Sequence, residues 1–344
     1  MTTLKTPRAL ADAGLIAQDR VAALEPVAAR YAVSVTDTVA KLIDPGDPFD
    51  PIARQFVPSE AELVTAPEEL ADPIGDAAHS PVPGIVHRHR DRVLFTLVHS
   101  CPVYCRFCFR REVVGPEGET ALLPDTFAQA LAYIESHPEI WEVIFTGGDP
   151  FILSPRRLSE VSARVAAIAH VKVLRWHSRV PVAAPQSVTD AMIAALLVPG
   201  ATTFVAVHVN HPRELSGDVR AALARLIDAG IPLVSQTVLL HGVNDDADTL
   251  EALLRGLVEC RVKPYYLHHP DLARGTGHFR VPVERGIGLM RALRARLSGI
   301  AMPQYVLDIP GGVAKVPLHE DDVQKTEAGW RIRDPEGGWH DYSG

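Results

Sequence analysis

The amino-acid sequence predicts an α/β fold, a partial (β/α) TIM-like barrel preceded by a mainly helical and extended N-terminal region. From residue 92 onward, seven short apolar runs rich in β-branched and aromatic residues are typical of strands. Stretches with a 3.6-residue hydrophobic period lie between these runs and are typical of amphipathic helices. The middle strands recur about every 30 residues, the length of one strand–helix unit. We therefore expect a parallel sheet that is closed or partly closed.

The first 90 residues have a different composition. Thr6 followed by Pro7 indicates a helix N-cap with proline in the first turn. A proline- and acid-rich passage over residues 44–84 favours extended chain and short helices that could wrap another surface. We expect a helical and extended region at 1–90, the barrel with its site at 91–320, and a C-terminal tail at 321–344.

The barrel elements follow in order along the chain. The predicted strands are RVLFTLV (92–98), EVIFTGG (142–148), VKVLRW (171–176), TTFVAVHV (202–209), PLVSQTVLL (232–240), PYYLHH (264–269) and QYVLDI (304–309). Helical stretches between them include RRLSEVSARVAAIAH, VRAALARLIDAG and TLEALLRGLVECR.

Composition narrows the class of protein. The chain is 47% hydrophobic and 22% charged with a formal net charge of −8, as expected for a globular protein with a full core. It shows no basic stripe, which argues against a nucleic-acid partner. It has neither the apolar core of a signal peptide nor an apolar run near the roughly 20 residues that span a bilayer. We expect a cytoplasmic protein whose thiols stay reduced.

Polar residues gather where the predicted strands end. In α/β barrels, ligands bind at the rim formed by the carboxyl ends of the strands. The residues at these positions are three cysteines after the first strand, Gly147-Gly148-Asp149, His177-Ser178-Arg179, His208, Gln236, Asp271, Asp308 and Lys315. Nearly every strand therefore places a residue suited to binding or catalysis at one rim.

The stretch CPVYCRFC holds Cys101, Cys105 and Cys108, three of the four cysteines of the chain. An odd number of clustered thiols argues against a disulfide. A Cys₃His zinc site with His99 is an alternative, although structural zinc usually takes ligand pairs from two separate places. Incidental thiols are another. An iron–sulfur cluster fits best, because three thiolates on a four-iron cube leave one iron free to hold a small molecule.

CPVYCRFC resembles the C-x₃-C-x₂-C motif of the radical S-adenosylmethionine (SAM) enzymes. In that superfamily the open iron of a [4Fe-4S] cluster chelates SAM, and one electron cleaves SAM to methionine and a 5′-deoxyadenosyl radical. TGGDP (146–150) resembles the glycine-rich element that receives the methionine amino group, with Gly147 and Gly148 allowing close backbone approach and Asp149 offering an acceptor.

A narrower resemblance, over roughly residues 45–320, is to the lysine 2,3-aminomutase family, whose members also use pyridoxal 5′-phosphate (PLP). It is carried by PIARQFVPSEAEL, the VPG before HRHRDRVLF, CRFCFRR, HVNHPREL, LLHGVND, PYYLHHPDLARGTGHFRVP and DIPGGVAKVPL. The resemblance implies that Lys315 forms the Schiff base with PLP and that Arg92 holds the PLP phosphate. Ser178, His208 and Gln236 are expected to contact SAM. Each of these residues could instead be an ordinary surface charge or a satisfied core polar group.

Three residues bear on the substrate. By the same resemblance, Arg110 grips the substrate carboxylate, for which a guanidinium is well suited, while Asp271 and Asp308 hold the ε-ammonium of lysine. Two converging carboxylates repel each other unless a cation lies between them. The pair therefore favours L-lysine over glutamate.

The implied reaction converts L-lysine to β-lysine by radical migration of the amino group. The implied partners are L-lysine, an electron donor such as flavodoxin or ferredoxin, and a possible second copy in a homodimer. Long family members bind zinc through C-terminal cysteines and one after LLxGVND, but here that position is Asp246 and no cysteine follows Cys260. We expect no such zinc site. The short length resembles the branch that supplies (R)-β-lysine to elongation factor P. A PLP-free radical SAM enzyme, an aminomutase for another amino acid, and a non-catalytic iron–sulfur or zinc module are the alternatives.

Overall fold

The computed structural model describes residues 3–114, 122–319, 323–326, 329–334 and 337–342, and its N-terminal region consists of short elements. These are β1 (Thr3–Leu4), α1 (Pro7–Asp12), α2 (Val21–Arg30), β2 (Val35–Thr36), α3 (Asp37–Ala40) and α4 (Pro51–Phe56). The Thr6 hydroxyl accepts a hydrogen bond from the Ala9 amide at 3.1 Å, with Pro7 in the first turn, which confirms the predicted cap.

A nine-stranded sheet follows. Its strands are β3 (Ile85–His89), β4 (Arg92–Val98), β5 (Glu142–Gly147), β6 (Val173–Ser178), β7 (Thr202–His208), β8 (Leu233–Val238), β9 (Lys263–His268), β10 (Gln304–Asp308) and β11 (Lys315–Pro317). Strands β4 to β10 pair in chain order and are all parallel. They correspond to the seven predicted strands, with ends that differ by at most two residues.

Helices connect the parallel strands and cover the outer face of the sheet. They are α5 (Pro124–Glu135), α6 (Pro155–Ala166), α7 (Val180–Ala183), α8 (Asp190–Leu196), α9 (Gly217–Asp228), α10 (Ala247–Glu259) and α11 (Val283–Arg296). In α6, Leu158, Val161 and Val165 are fully buried, which matches the predicted apolar stripe. Within the same core, Trp176 stacks on Phe145 with ring centroids 3.9 Å apart.

The two edge strands, β3 and β11, were not expected. Strand β3 is antiparallel to β4 and β11 is antiparallel to β10, and no pairing joins β3 to β11 within the described residues. The sheet is therefore a half-barrel, which confirms the expected partial barrel. It begins at Ile85, six residues before the expected start of the barrel, because the charged HRHRD stretch hides the strand period.

A small three-stranded antiparallel sheet closes the described chain. It consists of β12 (Val323–Thr326), β13 (Gly329–Arg333) and β14 (Trp339–Tyr342), where a simple tail was expected. The expected boundary at 320 and 321 lies outside the described residues.

The N-terminal region packs on the barrel of its own chain. The Thr36 hydroxyl donates to the Ala183 carbonyl at 2.6 Å, and the buried Asp50 carboxylate pairs with Arg213 at 2.7 Å. In the described part of the chain, no helix combines the length and apolar character needed to cross a bilayer.

Candidate active site

The three cysteines of CPVYCRFC lie on the loop that follows β4, against the glycine pair that ends β5. The Gly148 amide donates to the Val98 carbonyl at 2.6 Å, and the next amide donates to the Ser100 carbonyl at 3.0 Å. A Cβ atom on Gly148 would lie 2.2 Å from the Ser100 oxygen, and Gly147 has a φ of +106°. Glycine is required here because the two loops touch backbone to backbone.

The three sulfurs share one buried environment. Burial raises the pKa of Cys101 well above its ordinary value and that of Cys108 to about 11. The electrostatic interaction of Cys101 with both other sulfurs adds to its shift. Burial also raises the pKa of Cys105, while Arg179 opposes the shift. Within the described ranges, no group of three or more His, Cys, Asp or Glu side chains is arranged as ligands of a single metal ion. Three neighbouring thiols that become ligands on deprotonation fit an iron–sulfur cluster.

The Asp149 carboxylate is bound entirely within the protein. Its Oδ1 accepts from the Ser178 hydroxyl at 2.8 Å and the Phe151 amide at 3.0 Å. Its Oδ2 accepts from the amides of Arg179 and Val180 at 2.7 and 3.0 Å. Four donors fill the acceptor sites of a carboxylate. Asp149 thus joins the end of β5 to the end of β6, and Ser178 donates to it.

Buried histidines line the interior of the half-barrel. His177, His208 and His268 each have an Nε2 atom that is buried without a hydrogen-bond partner. Burial lowers the pKa of His208 to about 3 and the pKa values of the other two well below their usual range. Gln236 lies directly beside His208 in the paired strands. Buried polar atoms without partners are groups that a bound ligand would satisfy.

A cavity of about 240 Å³ lies where the two edges of the sheet face each other. Arg92 and His89 line it from the β3–β4 side, Lys315 lines it from β11, and Tyr266 contributes an aromatic ring. An amine and a guanidinium that face one cavity beside an aromatic ring are groups suited to an aldehyde and a phosphate on one planar cofactor. The cavity residues therefore fit PLP.

Lys315 is held by an acidic neighbour. Its Nζ pairs with the Asp308 carboxylate, which lies directly opposite in the β10–β11 register, and lies 3.4 Å from His268 Nδ1. Arg88 on β3 approaches the other Asp308 oxygen at 3.7 Å. Asp308 is therefore neutralised from both edges of the sheet.

Arg110 points into the same interior. Its Nε donates to Asp76 Oδ2 at 2.8 Å, and its Nη1 donates to the Thr146 hydroxyl at 3.3 Å. Asp76 comes from the N-terminal region, so that region helps to orient this guanidinium.

Asp271 follows β9 and faces the charged groups just described. Burial raises its pKa to about 7, and the negative charge of Asp308 adds to this shift. Lys315, Arg110 and Arg88 act in the opposite direction. One carboxylate thus interacts with all the other charged groups of the predicted substrate site.

The structure brings the predicted residues together in two adjoining groups. The first group lies at the cysteine loop and the strand ends beside it: Cys101, Cys105, Cys108, Gly147, Gly148, Asp149, Ser178, His208 and Gln236. In the second group, Arg92 and Lys315 line the cavity, Asp308 pairs with Lys315, and Asp271 and Arg110 interact electrostatically with these charges. Sequence reasoning missed Arg88, Asp76 and Gln55; the Gln55 Oε1 atom accepts a hydrogen bond from Arg179 at 2.7 Å. The three arginines of HRHRDR were a signal for Arg88, whereas no local pattern marked Asp76 or Gln55.

The chain is similar to known proteins over most of its length. A model of the radical SAM superfamily matches residues 95–253. The L-lysine 2,3-aminomutase of Clostridium subterminale is 38% identical over 286 residues, covering 83% of this chain and 68% of the relative. The L-lysine 2,3-aminomutase of Escherichia coli (strain K12) is 36% identical over 288 residues, covering 84% and 83%. The glutamate 2,3-aminomutase of Clostridioides difficile (strain 630) is 33% identical over 295 residues, covering 86% and 69%.

Proposed function

This chain belongs to the L-lysine 2,3-aminomutase family of radical SAM enzymes, and we propose that it converts L-lysine to β-lysine with a [4Fe-4S] cluster, SAM and PLP as cofactors. Cys101, Cys105 and Cys108 would bind three irons of the cluster. The fourth iron would bind SAM, toward which the candidate contacts are Gly147, Gly148, Ser178, His208 and Gln236. Asp149 was expected among them, but four donors within the protein fill its acceptor sites. When bound, the cluster with SAM supplies a carbon-centred radical and PLP supplies an electron sink.

The cavity between the sheet edges supports the PLP assignment. Lys315 would link to the cofactor aldehyde and Arg92 would pair with its phosphate, since both line this cavity. Tyr266 offers an aromatic face beside Lys315, whose Nζ lies 5.5 Å from the ring centroid. The Asp308 carboxylate pairs with the Lys315 amine and so fixes its position at the cavity.

The observation that carries the substrate assignment is the grouping of charges around Asp308. Its carboxylate pairs with Lys315 and lies 3.7 Å from Arg88, and its negative charge helps to raise the pKa of Asp271. Arg110 would bind the α-carboxylate, while the two aspartates would bind a distal ammonium that relieves their mutual repulsion. A diamino acid such as L-lysine has that ammonium, whereas glutamate would bring a third carboxylate to the pair.

The match to the Escherichia coli relative covers 84% of this chain and 83% of that one. A second candidate role for the same reaction is the modification of elongation factor P. In it, the (R) product would be attached to elongation factor P. An electron donor such as flavodoxin or ferredoxin would reduce the cluster in either case.

The test is an anaerobic assay with iron, sulfide, PLP, SAM and a reductant, in which L-lysine and L-glutamate are offered separately. We expect β-lysine from lysine and no β-glutamate, with the (S) product indicating metabolism and the (R) product indicating the elongation factor role. Reduction with borohydride should fix PLP on the native chain and not on Lys315→Ala, whereas Lys172→Ala, an exposed control, should behave as the native chain. Cleavage of SAM without β-lysine, or formation of β-glutamate, would refute the substrate assignment.

A further inference from the structure

We infer that Arg179 is a positioning residue of the cluster that donates a hydrogen bond to the ligand Cys105 and raises the reduction potential of the cluster. This inference rests on the [4Fe-4S] cluster of the proposed function and on no other part of it. None of the expected cofactor or substrate contacts includes Arg179.

The contact with the sulfur is direct. Arg179 Nη1 donates to Cys105 Sγ at 3.0 Å. The arginine retains only 6% of its exposure, and its guanidinium lies over the rings of Phe56 and Phe107 at 4.5 and 5.5 Å from their centroids. A cation enclosed by aromatic rings and held against one sulfur acts at low local dielectric, where its charge is weakly screened.

Three separate parts of the chain hold this arginine. Its Nη2 donates to Gln55 Oε1 on α4 and to Glu214 Oε2 after β7, both at 2.7 Å. Its own amide donates to Asp149 Oδ2 at 2.7 Å. Asn210 donates to the same Gln55 oxygen at 3.0 Å, which closes the network. The side chain is thus fixed by groups that leave Nη1 free to face Cys105.

A purely structural role would explain only part of this arrangement. Two buried arginines of the cysteine loop itself, Arg106 and Arg111, direct their guanidinium groups to Glu62 and to backbone carbonyls, and within the described residues they donate no hydrogen bond to a sulfur. Arg179 is different because one of its nitrogen atoms donates a hydrogen bond to the sulfur of a predicted cluster ligand. The Glu214 charge is bound through Nη2, on the nitrogen that does not contact the sulfur.

The direction of the effect follows from charge. Reduction adds an electron to the cluster, and a cationic N–H donor to a cluster sulfur stabilises the more negative state. Loss of that donor therefore makes the cluster harder to reduce. Since cleavage of SAM needs that electron, Arg179 would set how strong a reductant the enzyme requires.

The test compares midpoint potentials of reconstituted full-length enzymes by following the reduced-cluster electron paramagnetic resonance signal in a redox titration. The double variant Arg179→Gln/Glu214→Gln removes both members of the buried ion pair, so no lone charge is left inside. We expect it to bind four irons with a midpoint lower by about 59 mV or more, which is a tenfold change for a one-electron couple. A midpoint equal to that of the native enzyme would overturn the inference.

The matched control is Arg175→Gln/Glu142→Gln, which removes a second, largely buried ion pair, 3.0 Å apart; in the described part of the chain its arginine donates no hydrogen bond to a cysteine. Its midpoint should equal the native value, and an equal fall in the control would also overturn the inference. Arg179→Lys is the second variant, because it keeps the charge and the partner of Glu214. One ammonium group cannot contact both Cys105 and Glu214 as the two Nη atoms of arginine do. We therefore expect the midpoint of Arg179→Lys to fall by less than that of the double variant, and an unchanged midpoint would count against the hydrogen bond. The iron content of the native chain tests whether the cluster is present at all. A failure of the proposed function is therefore distinguishable from a failure of this inference.

Discussion

Replacing Asp271 with asparagine should weaken lysine binding by an amount that depends on pH. The carboxylate has a pKa of about 7 because burial and the charge of Asp308 both disfavour ionisation. Only the ionised form attracts the ε-ammonium of the substrate. At pH 8 the native site is about nine-tenths ionised, whereas at pH 6 it is about one-tenth ionised.

The magnitude follows from these fractions. A hydrogen bond to a charged group contributes about 1.5–3 kcal/mol, so at pH 8 we expect Asp271→Asn to raise the Kd for L-lysine about 10- to 150-fold. From pH 8 to pH 6 the Kd of the native chain should rise by an additional factor of about 10, because the ionised fraction of Asp271 falls about tenfold. The Kd of the variant should not show this rise. The ratio of the two Kd values should therefore shrink about tenfold as the pH falls.

The assay is spectroscopic titration of PLP-loaded enzyme with L-lysine in the absence of SAM. The titration of the lysine α-amino group affects both proteins equally and cancels in the ratio. L-Norleucine, which lacks the ε-ammonium, should bind both proteins alike, and Asp190→Asn on the surface should match the native chain at every pH. A ratio that stays constant from pH 6 to pH 8, or a Kd unchanged at pH 8, would refute the role of Asp271.

Two further predictions concern the support of the cysteine loop. Gly148→Ala would place a Cβ atom 2.2 Å from a backbone oxygen, so urea unfolding should show that the free energy of unfolding falls by roughly 1–3 kcal/mol. The control is Gly288→Ala, exposed in α11 with open space around it, which should be neutral or stabilising. Equal effects at both positions would contradict the close backbone contact at Gly148. Glu62 is fully buried between Arg106 and Arg111, so Glu62→Gln should cost about 3–5 kcal/mol by leaving buried positive charge uncompensated. Glu60 forms an exposed ion pair with Arg20, so Glu60→Gln is the control, and we expect it to cost less than about 1 kcal/mol. A similarly small cost at Glu62 would show that the buried network does not anchor the loop.

The parallel strands could be predicted because their signal is local. An apolar run buried on both faces, followed by an amphipathic helix, is recognisable within some 30 residues, and the strand ends then place the polar residues at one rim. Strand β3 was missed because its polar half, HRH, obscured the pattern, and β11 is only three residues long. Both are edge strands, and each contributes residues to the cavity that Arg92 and Lys315 share.

The sequence by itself determined the class of fold and the cysteine motif, and it singled out Arg92 and Lys315, which line the cavity, because each belongs to a short pattern or to the end of a strand. Tertiary structure alone decided how those residues are held. Arg179 contacts a cysteine 74 positions away and a glutamine 124 positions away, and Asp76 reaches Arg110 across 34. A buried charge needs partners, and any part of the chain that packs nearby can supply them. For that reason the N-terminal region, which carried no chemical motif, supplies the groups that orient both Arg110 and Arg179.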